Sequence, residues 1–284
     1  MSASRGVAGA RAPHDLRRVY VGTAGWSVAL AVAPRTHAGQ GGLARYADYF
    51  NAVEVNSTFY RLPRAQTVER WRDGTPPGFR FTVKVPRSIT HEARLVGVDS
   101  EVAELCERVA RFQRKVGALL IQLPASFEFD APLVSQFFAL LADSTPAPLV
   151  IEPRHPSWFG DEATRLLVDA DVARAAADPA CCPAAALPLP SSRVVYFRWH
   201  GSPRMYFSAY LPEALAKLGA AVLAERQSGG VRRDVYCFLD NTGLGAAAVN
   251  ALSLKAELMR PAPPARSALP SSGSAASPID PTER

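Results

Sequence analysis

The chain has 284 residues, 48% of them hydrophobic, enough to bury a full core, and no apolar run approaches membrane-spanning length. The net charge of +6 thins out on inspection: the first 18 residues carry +3, residues 261–284 sum to zero, and the body between carries +3. That leaves weak support for a nucleic-acid partner, and an N-terminus without an apolar stretch argues against a secretory signal, so a soluble cytoplasmic α/β protein is expected.

In chain order, a first strand is expected over Arg18–Gly22, followed by a long loop opening with Gly25-Trp26. A short helix follows over Leu43–Phe50, then a strand ending at Asn56, a helix over Gln66–Arg72 and a strand over Phe79–Lys84. Asp99 or Ser100 is placed to cap a longer helix, because Val102, Leu105, Cys106, Val109, Phe112 and Val116 recur at three- and four-residue steps. Strand four is Ala118–Gln122, helix four Ala131–Leu141, strand five Leu149–Glu152, helix five Asp161–Ala170, and strand six a weak Val172–Ala175. Four prolines between Asp178 and Ser192 forbid a regular helix there, so the sixth crossover is expected to be irregular. Strand seven (Val194–Trp199), helix seven (Leu211–Arg226), strand eight (Val235–Leu239) and helix eight (Ala246–Met259) complete the pattern. The fold expected is a parallel TIM-type (β/α)8 barrel over residues 18–260, between a disordered basic arm (1–17) and a disordered Pro/Ala/Ser tail (261–284). The four cysteines have no metal-like spacing, and the adjacent Cys181 and Cys182 read as a loop spacer.

Period-two alternation along the strands points to a site. It sends Asn56, Lys84, Gln122, Glu152, His200 and Asp240, all at strand C-terminal ends, to one side, with Glu54 and Arg198 deeper on the same face. In a parallel barrel these side chains converge on one rim. The segments GTAGW (22–26), YADYFNAVEVNSTFYRLP (46–63), FRFTVKVPRSITHEARL (79–95), IQLPASF (121–127), IEPRHPSWF (151–159), VYFRWHGSPRMYFSAY (195–210) and VYCFLDNTGLGAAAVNA (235–251) resemble the YecE-like family, a domain of unknown function. The resemblance implies a TIM-type barrel and supplies no reaction. Relative to the family pattern, Val28 stands where an aromatic is usual, Pro153 replaces Phe, and Asp240 replaces an amide.

Carboxylates, cations and histidines on one rim suit general acid/base chemistry, with Glu152, His155, His200, Glu54 and Lys84 as catalytic candidates. Asn56, His91, Gln122, Arg154, Arg198, Arg204, Tyr206, Asp240, Asn241, Trp26 and Trp158 are binding candidates. Free amides in the loop Asp240–Gly245, with Arg198, Arg204 and His200, suit a phosphate. Trp26, Trp158 and Tyr206 suit ring stacking. No cofactor is firmly implied. Glu152, His155, His200, Asp178, Asp240 and His91 include ligand types for a divalent metal, but no HxH or HExxH occurs and no metal residue is assigned. Three readings compete: an enzyme acting on a small anionic or phosphorylated substrate, sugar-containing ones included; a metal-dependent nucleic-acid phosphodiesterase or repair-type enzyme; and a non-catalytic binding or scaffold protein whose rim charges are all mutually paired.

Overall fold

The computed structural model describes residues 16–27, 42–227 and 232–260. The arm up to residue 15 with His14, the position Val28, His37 and the tail 261–284 lie outside the described residues. Leu16, counted with the arm in the sequence reading, packs against the core.

Strands and helices alternate: β1 (Val19–Thr23), α1 (Gly42–Ala47), β2 (Ala52–Val55), α2 (Ala65–Asp73), β3 (Arg80–Lys84), α3 (Asp99–Ala110), β4 (Val116–Gln122), α4 (Ala131–Ser144), β5 (Leu149–Glu152), α5 (Asp161–Asp169), β6 (Ala173–Arg174), β7 (Ala176–Asp178), β8 (Val194–Trp199), α6 (Pro212–Gln227), β9 (Asp234–Leu239) and α7 (Ala246–Met259). All the strand pairings are parallel, in the orders β1-β9-β8-β7 and β2-β3-β4-β5-β6. The fold is a TIM-type barrel with helices outside.

The two sheets meet at two seams. At the first, β1 and β2 share one parallel bridge, Ala24 with Glu54, and side chains do most of the joining. Asn51 donates to the Val19 carbonyl and accepts from the Val21 amide (2.8 and 2.9 Å), while the Tyr46 hydroxyl accepts from Thr23 N and donates to the Ala52 carbonyl (2.8 Å each). Gly22 permits this approach, since a Cβ there would lie 2.0 Å from the Ala52 oxygen. At the second seam, β6 and β7, separated by Ala175 alone, belong to different sheets. The sequence predicts a single strand over Val172–Ala175 here; instead Arg174 exchanges both backbone hydrogen bonds with Leu189, so the proline-rich loop holds the residue where a neighbouring strand would have paired. That loop carries one 3-10 turn, Pro183–Ala186, and the irregular sixth crossover is as expected.

The α3 stripe also divides differently from the sequence reading. The helix ends at Ala110 because Gln113 takes φ 55°, which turns the chain outward. Phe112 then stacks on Phe81 at 4.5 Å and Val116 opens β4. Neither Asp99 nor Ser100 caps it; Val98 holds the N-cap position, and Asp99 and Glu101 sit in the first turn, where they complement the helix dipole. α4 has a true cap, with Asp130 Oδ1 accepting from the Leu133 amide at 3.1 Å. Asp130→Ala should therefore lower stability by about 1 kcal/mol, read in urea as a lower midpoint with an unchanged slope.

Period-two alternation sorts the barrel. Tyr20, Ala52, Leu120, Val150, Ala175, Tyr196, Tyr236 and Phe238 fill the interior, and the opposite strand faces pack on the helices. Above this apolar plug the same inward parity delivers polar side chains to the C-terminal mouth. No helix among the described residues is long and apolar enough to cross a membrane.

Candidate active site

Arg198, two residues beyond Tyr196 on β8, stands at the centre of the mouth with no exposed surface. Its Nε and Nη2 donate to Glu54 (3.0 and 2.7 Å), Nη2 also to Asp240 Oδ2 (2.9 Å), and Nη1 to Glu152 Oε2 and Gln122 Oε1 (3.0 and 3.1 Å). Glu54 is further held by the Tyr196 hydroxyl at 2.8 Å, itself 3.1 Å from Thr82 Oγ1. Burial and Glu54 hold that phenol well above its usual range. Tyr196 and Thr82 were absent from the sequence-based candidates, although the inward parity extends to both, one layer below the rim.

His200, also without exposed surface, lies between two carboxylates: Nδ1 is 3.0 Å from Asp240 Oδ2 and Nε2 is 3.0 Å from Glu152 Oε1. Nε2 is also 2.9 Å from Arg154 Nη2. The pattern admits two proton arrangements. With a neutral ring, Nδ1–H donates to Asp240 and Nε2 accepts from Arg154. With a proton on Nε2, the ring donates to Glu152 as well, and Arg154 turns its donors to Glu152 Oε1, which lies 2.7 Å from its Nε and 2.6 Å from its Nη2. Burial pushes the Glu152 carboxyl up, but Arg198, Arg154 and His200 together outweigh it and hold it well below its ordinary value. Asp240 is lowered too: burial opposes, and Arg198, His200 and Lys84 prevail.

Lys84, at the end of β3, is 8% exposed, and among the described residues its ammonium makes no hydrogen bond or ion pair. It sits 4.0 Å from the centre of the Phe59 ring. Burial first, then Arg198, lowers its pKa to about 8, against the pull of Glu54, Glu152 and Asp240. His91 meets the same Phe59 ring edge-on at 5.0 Å, with Nδ1 2.8 Å from Thr90 Oγ1, and its pKa is lowered by burial and by Lys84 and Arg87. Asn56 opens the 3-10 turn Asn56–Phe59 that carries Phe59, and its Oδ1 is buried with no partner among the described residues. Tyr206, at φ 68° and 40% exposed, stands edge-on over the His200 ring at 5.6 Å.

Other candidates fall elsewhere. His155 caps the turn Pro156–Phe159, with Nδ1 accepting from the Ser157 amide and lying 2.8 Å from its hydroxyl, so its bonds are local. Trp158 is wholly buried with its indole N–H on the Phe127 carbonyl (2.9 Å); it is a core residue, unavailable for stacking. Trp26 is half-buried, edge-on to Trp71 at 5.0 Å. The expected phosphate cradle is partly occupied: the amides of Gly243, Gly245 and Ala247 donate to carbonyls of Tyr206, Thr242 and Asn241, Arg198 is buried on carboxylates, and Arg204 lies exposed over Phe207. Asn241 is a brace, donating to the Ser208 carbonyl and to Asn250 Oδ1. Asn250, unforeseen from the sequence, also ties the Tyr210 backbone to α7. The Pro153 position is buried between Glu152 and Arg154, and Asp240 supplies the anionic partner of His200 Nδ1. Among the described residues no three His, Cys, Asp or Glu side chains are grouped to hold a metal; the carboxylates of the mouth face Arg198 and Arg154 instead.

A family model described as "Protein of unknown function DUF72" matches residues 20–272. The chain belongs to the DUF72 family. Its relatives include UPF0759 protein YecE of Escherichia coli (strain K12), 36% identical over 153 residues, 52% of this chain and 53% of that protein. UPF0759 protein YunF of Bacillus subtilis (strain 168) is 26% identical over 147 residues, 50% and 52% of the two chains. The DUF72 chain thus spans about half the length of the curated relatives it matches. A DUF72 family protein from Thermotoga maritima MSB8 superposes with a TM-score of 0.70 at 28% identity, covering 85% of this chain and 99% of that one. Another, from Enterococcus faecalis V583, gives 0.70 at 21% identity over 84% and 95%, a likeness of fold.

Proposed function

We propose that this DUF72 protein is an enzyme that uses general acid/base catalysis on a small anionic substrate bound at the barrel mouth. One observation carries the reading: a histidine held between two carboxylates shares its mouth with a largely buried cation, Lys84, that has no ion pair among the described residues. The Arg198–Glu54 pair is the foundation. Wholly buried and saturated, it fixes where Glu152, Asp240 and His200 stand and has no donor left for a ligand. The working groups lie on its outer side. Lys84 and Arg154, whose side chain is 15% exposed, supply the positive field for an anion. His200 Nε2 takes or returns a proton, Asp240 holds the ring, and Glu152 receives the imidazolium N–H.

The mutual pairing of Arg198, Glu54, Glu152, Asp240 and His200 is what a scaffold protein also offers. The two readings part at Lys84, which a pure scaffold has no need to bury unpaired. The test is a thermal-shift panel of small phosphates, carboxylates and sugar phosphates, with NMR to follow turnover of any binder. The enzyme reading expects at least one anion to raise Tm, Lys84→Met and Arg154→Met to weaken that binding about tenfold, and His200→Asn to bind without turnover. If no anion shifts the wild type, or His200→Asn turns the ligand over at the wild-type rate, the reading is wrong.

A further inference from the structure

The chain has four lysines, and Lys84 differs from the other three. Lys115 donates to the carbonyls of Arg72 and Thr75, Lys255 donates to the carbonyl of Tyr49, and Lys217 is exposed on α6. The Lys84 stem is enclosed, its nitrogen has no hydrogen-bond partner among the described residues, and it sits 4.0 Å from the centre of the Phe59 ring. A lysine kept only for its charge could be an arginine, and Arg154 already supplies a permanent cation at this mouth. An arginine cannot offer a nitrogen lone pair; a desolvated lysine beside other cations can.

We propose that Lys84 is the nucleophile of the site and attacks the carbonyl carbon of a small anionic aldehyde or ketone, holding it as a Schiff base. This rests on the reading of the mouth as an anion site and names its substrate class. Burial and Arg198 bring the Lys84 pKa to about 8, so part of the population is neutral near pH 7.5. The amine lone pair forms the C–N bond while the C=O π pair moves to oxygen. Both amine protons pass to that oxygen, which leaves as water, and C=N remains. Arg154 holds the anionic group, and protonation of the imine retains the positive charge that the lysine contributed. His91, edge-on to the same Phe59 ring, and the Glu152–His200 pair are the titratable groups that flank the step.

Reductive trapping tests this on the full chain. The protein is incubated with glyoxylate or dihydroxyacetone phosphate and sodium borohydride at pH 7.5, then digested and mapped by mass spectrometry. Hydride adds to the imine carbon and water supplies the nitrogen proton, so the labelled peptide gains the mass of the probe less one oxygen. The expected result is label on Lys84 about tenfold or more above that on exposed Lys217, suppressed by glycolate, which has the anion without the carbonyl, and missing in Lys84→Arg. Comparing lysines within the wild type keeps the test valid even if the variant folds poorly. Equal labelling of Lys84 and Lys217, or none on Lys84, overturns the proposal. If glycolate still raises Tm when Lys84 stays unlabelled, the anion site stands and only the Schiff base falls; if neither occurs, both fall.

Discussion

Replacing Arg198 with methionine should destabilise the protein by about 3–5 kcal/mol at pH 7, measured by urea unfolding. The reason is what is left behind. Glu152 keeps Arg154 and His200, and Asp240 keeps His200, but Glu54, without exposed surface, retains only the Tyr196 hydroxyl. An uncompensated buried carboxylate is far costlier than the net worth of the pair that held it. A Glu54→Leu/Arg198→Met double variant should accordingly lose less than the sum of the two single changes. Acid pH adds a second check. Glu152 and Asp240 have folded-state carboxyls lowered below their unfolded values, so the stability they contribute is full above the unfolded pKa and is lost as pH falls through the folded one. The gap between wild type and Arg198→Met should therefore narrow below about pH 4. A loss under about 1 kcal/mol at pH 7 would show that the network is not the foundation described above.

Much of this network was legible in the sequence for one physical reason: inward and outward positions alternate strictly along a strand, so six strand ends could be read as one rim without knowing any distance. Glu54, Lys84, Gln122, Glu152, Arg198, His200 and Asp240 all follow that rule. Residues in loops do not. His155 and Trp158 lie three and six residues past the β5 terminus, in a turn whose capping bond and buried indole depend on Ser157 and Phe127, partners that no periodicity announces. The partly occupied phosphate cradle has the same origin: glycines advertise free amides, but whether Gly243 finds the Tyr206 carbonyl is decided by a loop from another strand. The division of β6 from β7 was hidden because the competitor for Arg174 is Leu189, fifteen residues on, in a segment whose prolines ruled out helix without saying where its amides would go.

Lys84→Met should make the protein more stable by about 2–3 kcal/mol at pH 7, and the gain should vanish above about pH 10.5. The sign follows from the lowered pKa. A lysine that titrates near 8 when folded and near 10.5 when unfolded binds its proton less readily in the native state. Its charge therefore costs stability fully below pH 8. The cost shrinks as pH rises from 8 toward 10.5, where the unfolded chain too gives up the proton. The Phe59 ring returns part of the cost through its cation–π contact, and methionine, of similar length, can lie over the same ring through its sulfur. Denaturation midpoints of both proteins between pH 6 and 11 decide the matter. A lysine that held the barrel together would give the opposite result, a less stable variant at every pH. Stability gained together with anion binding lost identifies a charge that the fold tolerates for the sake of a ligand, because the attraction of Glu54, Glu152 and Asp240 falls short of its burial cost.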